Sequence, residues 1–346
     1  MKLTYISKET SILLRGVALF LMVFLHLFNQ MQNVQGLFCL FKINDVPVVN
    51  FLSKGCNPVG YYLFISGYGL CFSNKGSSLR NKIFKIVNLF ILYWVTLVIF
   101  VLIGHYIKPD VYPGDVVTII KNLSSFRTTY NGEAWFIFPY VLLALSSGVI
   151  FAFCDRFGGK KCFAFSCSLY FIAIFLISRY YKAFFDNNYW AYHVVLYFDC
   201  LFPFVLGALF CRYSKVEAKG FLKRIICLPN LVKIVMLLMV FLSGCIVSSA
   251  AWTPFCQCAI IFLFIHIDWN VALKRGLNVL GHYSTVVWLL HTWFCYYLFK
   301  DFIYGFHYPL IIIFVLFGIC VPTGFVVQKI ADAICICLHL KIKKSE

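Results

Sequence analysis

Ten long apolar runs are the feature that most constrains how this chain folds. Each is close to the roughly 20 residues that a helix needs to cross the hydrocarbon core of a bilayer. Only 12% of the 346 residues are charged, whereas 62% are hydrophobic. These values exclude a soluble globular protein and predict an all-α, polytopic membrane protein with about ten transmembrane helices in a single integral membrane domain, residues 1–346. The predicted spans are residues 11–28, 58–74, 83–105, 134–154, 162–179, 190–211, 231–249, 253–268, 278–299 and 307–328.

The net charge of +17 follows the predicted topology. Most lysines and arginines fall in the N-terminus, in alternate loops and in the C-terminal tail, as the positive-inside rule describes for a protein with both termini in the cytoplasm. Topology and attraction to anionic lipid therefore account for the basic excess. We expect contact with membrane lipid and none with nucleic acid.

The 16 cysteines give no sign of a metal or redox site. None forms a C-x-x-C pair, and the closely spaced pairs Cys256/Cys258 and Cys335/Cys337 do not match the usual zinc spacing. Most lie within the apolar runs, where cysteine acts as a small hydrophobic residue. We expect no metal cofactor, and the lack of an internal repeat gives no support to a transporter built from inverted repeats.

The first span carries two polar side chains that are costly in hydrocarbon, Arg15 and His26. Their separation brings them within about 20° of the same helical face, at an axial distance of about 16 Å. The shared face predicts that one stripe of this helix lines a polar cavity between helices. The alternative for His26 is a hydrogen bond to a neighbouring helix, and the residues alone leave the two interpretations about even.

Four further segments combine polar, small or aromatic residues with an apolar run. The second span contains Ile65-Ser-Gly-Tyr-Gly-Leu70, whose small residues favour close helix packing. A basic segment precedes the third span, and the fourth span opens with a carboxylate and an interfacial tryptophan. The ninth span contains a tryptophan and a histidine. The residues concerned are Ser66, Tyr68, Arg80, Lys82, Lys85, Glu133, Trp135, Trp288 and His291.

Several of these residues also have structural interpretations. Lys82 and Lys85 are three residues apart and would share a helical face suited to phosphate, although topology alone explains basic residues there. Asp199, inside the sixth span, needs a hydrogen-bond donor or a proton, and its role is divided between structural bonding and lining a substrate path. For His291, an interhelical hydrogen bond is the more common explanation.

In this order and at these spacings, the segments resemble the acyltransferase-3 family of integral membrane O-acyltransferases. The resemblance extends from about Leu13 to Asp332. It rests on the sequence R-G-V-A with a histidine later in the first helix, I-S-G-Y-G-L, the basic segment before the third helix, E-x-W-F-I, and L-G-x-x-S followed by W-L-x-H. The family usually has two arginines three apart in the basic segment, where this chain has Lys82 and Lys85, which lack the bidentate fork of arginine.

The resemblance implies a reaction and a location. The expected reaction moves an acyl group, most often acetyl, from cytoplasmic acyl-CoA to a sugar hydroxyl of a surface polysaccharide or its lipid-linked precursor. The expected location is the bacterial cytoplasmic (inner) membrane. Acyl-CoA is the expected co-substrate, and a carbohydrate or lipid-linked glycan is the expected acceptor.

The resemblance also implies roles for the candidate residues. His26 is expected to take the proton of the attacking hydroxyl, since a neutral imidazole suits that task. The sequence does not distinguish this direct transfer from one through an acyl-histidine intermediate. Arg15 is expected to meet CoA phosphate or to stabilise oxyanion charge, and Glu133 to orient the imidazole or bind the sugar. Arg80, Lys82 and Lys85 are expected to hold the CoA nucleotide. The expected acceptor-binding residues are Ser66, Tyr68, Trp135, Asp199, Trp288 and His291.

Two other classes of protein fit part of the pattern. A flippase or exporter of lipid-linked sugars would also need a polar stripe, aromatic cavity walls and a basic inner face, but it would release no CoA from acyl-CoA. A second family of membrane O-acyltransferases also uses a buried histidine, although its motifs differ from those found here. No predicted span carries two histidines about four turns apart, the pairing expected of a haem-binding electron carrier, which disfavours that class.

Overall fold

The structure is a computed structural model, and it describes residues 5–73, 79–214, 217 and 219–338. Almost all regular structure within those ranges is helical. One small antiparallel hairpin pairs β1 (Lys42–Ile43) with β2 (Val46–Pro47). The helices are α1 (Lys8–Phe28), α2 (Met31–Val34), α3 (Val48–Ser53), α4 (Pro58–Ser73), α5 (Leu79–Ile107), α6 (Val116–Leu123), α7 (Ile137–Phe157), α8 (Gly159–Tyr180), α9 (Tyr189–Tyr213), α10 (Gly220–Ile226), α11 (Asn230–Val247), α12 (Thr253–Ile265), α13 (Val271–His282), α14 (Ser284–Thr292), α15 (Lys300–Tyr304) and α16 (Pro309–Cys337).

Three further helical segments have non-α geometry. A 3₁₀ turn, Gly132–Phe136, leads into α7, and π turns, Tyr181–Phe185 and Trp293–Tyr297, follow α8 and α14. Side chains fix where several helices begin. The Ser7 side chain accepts a hydrogen bond from the Thr10 amide at the start of α1, and the Asn270 side chain accepts one from the Leu273 amide at the start of α13. Such caps satisfy amides that have no partner within the helix.

The all-α, polytopic membrane fold predicted from the sequence is confirmed. Within the described residues, seven helical segments are long and apolar enough to cross a membrane. They are Lys8–Phe28, Leu79–Ile107, Gly132–Phe157, Gly159–Phe185, Tyr189–Tyr213, Asn230–Val247 and Pro309–Cys337. The other three predicted spans correspond to shorter helices: α4 has 16 residues, α12 has 13, and the ninth is divided.

The predicted ninth span is broken at Tyr283, between α13 and α14. The hydroxyl of Ser284 donates a hydrogen bond to the Gly281 carbonyl at 2.9 Å, which satisfies an acceptor freed by the break. Ser284 and Gly281 are both buried in protein. Interrupted helices are tolerated in membrane proteins where protein rather than lipid surrounds the freed backbone groups, so hydrophobicity alone did not reveal this break.

Glycines bring two pairs of helices into backbone contact. A Cβ atom added to Gly16 of α1 would lie 2.2 Å from the Leu277 carbonyl oxygen of α13. On α4, a Cβ atom on Gly67 would lie 1.9 Å from the Phe204 carbonyl oxygen of α9. These contacts leave no room for any larger side chain, and close approach through small residues is a common mode of packing in membranes. They hold α1 and α4, which carry candidate site residues, in fixed positions.

Candidate active site

A cavity of about 760 Å³ lies between the helices and receives side chains from most of them. Its lining residues come from α1, α4, α5, α7, α8, α9, α12, α14, α16 and the 3₁₀ turn before α7. Five of them are acidic or basic side chains: Arg15, His26, Lys85, Glu133 and Asp199. The cavity therefore collects polar groups that would be costly in contact with lipid.

His26 and Glu133 form an ion pair if the imidazole is protonated, with Nε2 of His26 3.5 Å from Oε2 of Glu133. Both side chains are partly exposed: the exposed fraction of the side chain is 13% for His26 and 26% for Glu133. The backbone of Glu133 is held on both sides. Its amide donates to Oδ1 of Asn131, and its carbonyl accepts from Nε1 of Trp288 at 3.2 Å. The carboxylate therefore reaches the imidazole from a fixed backbone position.

Tyr296 lies on the other side of the His26 ring. Its hydroxyl is 2.5 Å from the His26 carbonyl oxygen and 3.1 Å from Oδ1 of Asn29, both of which accept hydrogen bonds. The same oxygen is 3.4 Å from Nδ1 of His26. Since its hydrogen points to one of those acceptors, the Tyr296 oxygen faces Nδ1 as an acceptor and favours the Nδ1–H tautomer. Nε2 then keeps its lone pair.

Tyr296 was not identified from the sequence. It belongs to the π turn Trp293–Tyr297, in a run of aromatic residues that resembles an ordinary apolar span. A π turn shifts the helical phase and so redirects side chains, and such turns are frequent at functional sites. No simple periodicity in the sequence indicates where the turn occurs.

His291 packs against His26 but does not line the cavity. The ring centroids are 5.1 Å apart, and His291 is fully buried. Its Nδ1–H donates to the Trp288 carbonyl at 2.8 Å, and its Nε2 has no hydrogen-bond partner among the residues described by the structure. The expected contact with substrate therefore does not fit its position, because its side chain is fully buried and is not part of the cavity lining.

Arg15 lines the same cavity as His26, so the structure brings the two polar residues of the first helix to one space. Tyr62 and Tyr140, neither of which was among the predicted site residues, line the cavity together with Arg15. The Nε atom of Arg15 has no partner within the described parts of the chain. The guanidinium therefore retains a hydrogen-bond donor that these residues do not use.

The basic segment divides between three environments. Lys85 lines the cavity together with Asn88 and Gln328. Lys82 is buried, and its Nζ donates to the Ser147 hydroxyl at 2.7 Å. Lys82 and Lys85 therefore do not form a joint phosphate-binding site. A separation of three residues leaves their side chains about 60° apart around the helix axis, which is enough to direct Lys82 towards α7.

Arg80 lies outside the cavity lining as well. It is exposed, and its guanidinium carbon is 5.4 Å from the centre of the Phe84 ring. This contact is a cation–π interaction at the start of α5. Of the three basic residues predicted to bind CoA, Lys85 is the one that reaches the cavity.

Four predicted acceptor-binding residues, Ser66, Trp135, Asp199 and Trp288, line the cavity. Tyr68 does not, because its hydroxyl accepts a hydrogen bond from the Ile6 amide at 3.0 Å and its buried ring packs against neighbouring aromatic residues. Further lining residues were missed because single tyrosines, serines and amides in apolar runs give no distinct pattern. They include Asn57, Tyr62, Tyr140, Tyr170, Thr253 and Gln257.

Metal ligation has no candidate group in the described part of the chain. No set of three or more His, Cys, Asp or Glu side chains lies close enough there to hold an ion. The acidic and basic side chains of the cavity are suited to proton transfer at His26, charge stabilisation at Glu133 and anion binding at Arg15 and Lys85.

Comparison with known proteins gives one match. The sequence model of the acyltransferase-3 family, described as an acyltransferase domain, matches residues 11–327, nearly the whole chain. Neither the curated proteins nor the solved structures give a match. The matched range includes all five acidic and basic residues of the cavity lining, from Arg15 to Asp199. The chain therefore belongs to the acyltransferase-3 family and is an integral membrane acyltransferase.

Proposed function

We propose that this protein transfers an acyl group, most often acetyl, from cytoplasmic acyl-CoA to a sugar hydroxyl. The acceptor is a surface polysaccharide or its lipid-linked precursor, and the membrane is the bacterial cytoplasmic membrane. The observation that carries the proposal is the pairing of His26 with Glu133 in a cavity that also contains Arg15 and Lys85.

In the proposed reaction, Nε2 of His26 takes the proton of the acceptor hydroxyl. The hydroxyl oxygen attacks the thioester carbonyl, the carbon–sulfur bond breaks, and the departing CoA thiolate receives the proton from the imidazolium. Glu133, 3.5 Å from Nε2, stabilises the positive charge that the ring holds between these two transfers. The Tyr296 oxygen near Nδ1 supports the tautomer that this step needs.

The donor is proposed to approach through the part of the cavity lined by Lys85 and Arg15. Both side chains are cationic and suit the phosphates of CoA. Arg15 and His26 are about 16 Å apart along α1, a distance that the extended pantetheine arm can bridge. This separation favours Arg15 as a group that holds the donor over a direct role at the oxyanion beside His26.

The test is acyl transfer by the full-length protein in lipid nanodiscs with acyl-labelled acetyl-CoA. We expect release of free CoA and transfer of the label to glycan from the host cell. Cells that lack the gene should have surface glycans lighter by the mass of the acyl group. A protein that moves lipid-linked sugars without releasing CoA would contradict the proposal and indicate a flippase.

A further inference from the structure

The proposed reaction leaves one polar region of the cavity without a role. It lies beside α12 and is formed by Asn57, Tyr170, Asp199, Thr253 and Gln257, and we name it the Asp199 pocket. These residues come from α8, α9, α12 and the turn before α4. The region is continuous with the space that contains His26 and Glu133, so a molecule in it can reach the reacting groups.

The hydrogen-bond donors of the Asp199 pocket are largely used by its own walls. Nε2 of Gln257 donates to the Asn57 carbonyl at 2.6 Å. The Tyr170 hydroxyl donates to the Ala250 carbonyl, also at 2.6 Å. The Thr253 hydroxyl donates at 3.0 Å to the carbonyl four residues earlier. These bonds leave their hydroxyl and amide oxygens able to accept hydrogen bonds from a ligand.

Asp199 adds a carboxylate that has no partner among the described residues. It forms no hydrogen bond or ion pair there, and the ion pairs of the described chain are His26 with Glu133 and Arg212 with Asp155. Tyr170, which lines the same cavity, already directs its hydroxyl hydrogen to the Ala250 carbonyl. An ionised carboxylate only accepts hydrogen bonds, and leaving it unsatisfied in a membrane interior is unfavourable.

The cavity's cations do not neutralise this carboxylate. Arg15 and Lys85 line other walls, on α1 and α5, and neither lies within ion-pair distance of Asp199. Asn57 contributes a neutral amide. The Asp199 pocket thus offers mainly acceptors and a negative charge, which favours ligands with hydroxyl or ammonium groups and disfavours ligands with carboxylate or phosphate.

We propose that the Asp199 pocket binds the part of the acceptor next to the acylated hydroxyl and selects a neutral or amino sugar over an acidic one. The proposal rests on the proposed function, because it takes the occupant of the pocket to be the sugar acceptor. Asp199 acts here as a specificity-determining residue, since it contacts the acceptor without taking part in the proton transfer at His26.

Binding of three matched methyl glycosides tests this selection without any acyl donor. The probes are methyl β-glucoside, its 2-amino analogue and the corresponding methyl glucuronide, each added to the full-length protein in nanodiscs and measured by saturation-transfer NMR. We expect binding of the glucoside and the amino sugar, and binding of the glucuronide at least about tenfold weaker, because like charges repel.

The Asp199→Asn variant tests the cause of this preference. It removes the charge while keeping the size, and we expect the glucuronide to approach the glucoside within about threefold. Asp268→Asn is the matched control, because Asp268 is exposed and outside the cavity lining. That variant should retain the preference of the unmodified protein.

Three results would overturn the proposal: equal binding of glucuronide and glucoside, a preference unchanged in Asp199→Asn, or no binding of any of the three probes. The reaction is judged separately, by CoA release. Selective binding without CoA release would contradict the proposed function and leave the pocket's selectivity in place. CoA release without selective binding would support the proposed function and contradict the selectivity proposed for the pocket.

Discussion

Nε2 of His26 lies 3.5 Å from Oε2 of Glu133, across the cavity between α1 and the 3₁₀ turn before α7. The pair places a titratable base beside a carboxylate in a site where water access is restricted. Because electrostatic interactions are stronger in such a site than in water, the carboxylate can stabilise the imidazolium effectively. This relationship gives separate expectations for the two residues.

Replacing His26 with Gln should abolish most acyl transfer while the protein still folds. Loss of a general base lowers rates by about 10²- to 10⁴-fold, and we expect a fall of that size in kcat. The measurement is CoA release in nanodiscs with acetyl-CoA and host glycan. His282→Gln is the control, because His282 is exposed at the end of α13 and lies outside the cavity lining. Equal activity in the two variants would exclude His26 as the base.

Replacing Glu133 with Gln should lower kcat by about 10- to 100-fold and leave KM for acyl-CoA nearly unchanged. The amide keeps the shape of the side chain but cannot stabilise the imidazolium by charge. Glu133 lies at the His26 end of the cavity, whereas the proposed donor contacts lie at Lys85 and Arg15. A large rise in KM for acyl-CoA with normal kcat would instead indicate a donor-binding role.

Lys85 and Lys82 should respond differently to loss of their charge. Lys85→Met should raise KM for acyl-CoA by about 10- to 150-fold, since a charge-assisted phosphate contact contributes about 1.5–3 kcal/mol. Lys82→Met should leave that KM nearly unchanged, because Lys82 is bonded to Ser147 away from the cavity. Steady-state kinetics at constant ionic strength checks both. The expectation fails if Lys82→Met raises KM as much as Lys85→Met.

Arg15→Lys should weaken donor binding even though the charge is kept. Arg15 lines the cavity, and its planar guanidinium carries several donors in a fixed geometry that matches phosphate. We expect KM for acyl-CoA to rise by about tenfold, because lysine cannot reproduce bidentate contact. Arg275→Lys, an exposed residue on α13, is the control. A KM unchanged in Arg15→Lys would argue against phosphate contact at this residue.

Periodicity and composition predicted the fold class and the shared face of Arg15 and His26. Hydropathy reports length and polarity well, so most spans could be found from it. It did not reveal the break at Tyr283. There the Ser284 hydroxyl donates a hydrogen bond to the Gly281 carbonyl, and hydropathy carries no information about such a contact. The ninth run was therefore interpreted as one helix.

The candidate site was less predictable because side-chain direction depends on packing. Lys82 and Lys85 look equivalent in sequence, yet one bonds to Ser147 and the other lines the cavity. Tyr296 reaches His26 through a π turn that no apolar periodicity reveals. The Asp199 pocket likewise depends on which donors its walls already use, and that is visible only once the helices are assembled.

The crossing of α4 and α9 gives an expectation about stability that does not depend on the reaction. An added Cβ atom at Gly67 would lie 1.9 Å from the Phe204 carbonyl oxygen, and the opposing glycine, Gly207, is equally close to the Phe64 carbonyl oxygen. Backbone atoms cannot move aside as the end of a flexible side chain can. Gly67→Ala should therefore separate the helices and destabilise the protein by about 1–3 kcal/mol, a typical cost of overpacking.

Gly69→Ala is a close control, because Gly69 lies in the same helix and an added Cβ atom there meets nothing within 4 Å. Alanine also has the higher helix propensity, so this variant should unfold at the same temperature as the unmodified protein or slightly above it. Thermal unfolding of both variants in the same detergent makes the comparison. If Gly67→Ala unfolds no earlier than Gly69→Ala, backbone contact between α4 and α9 does not limit the stability of the helix bundle.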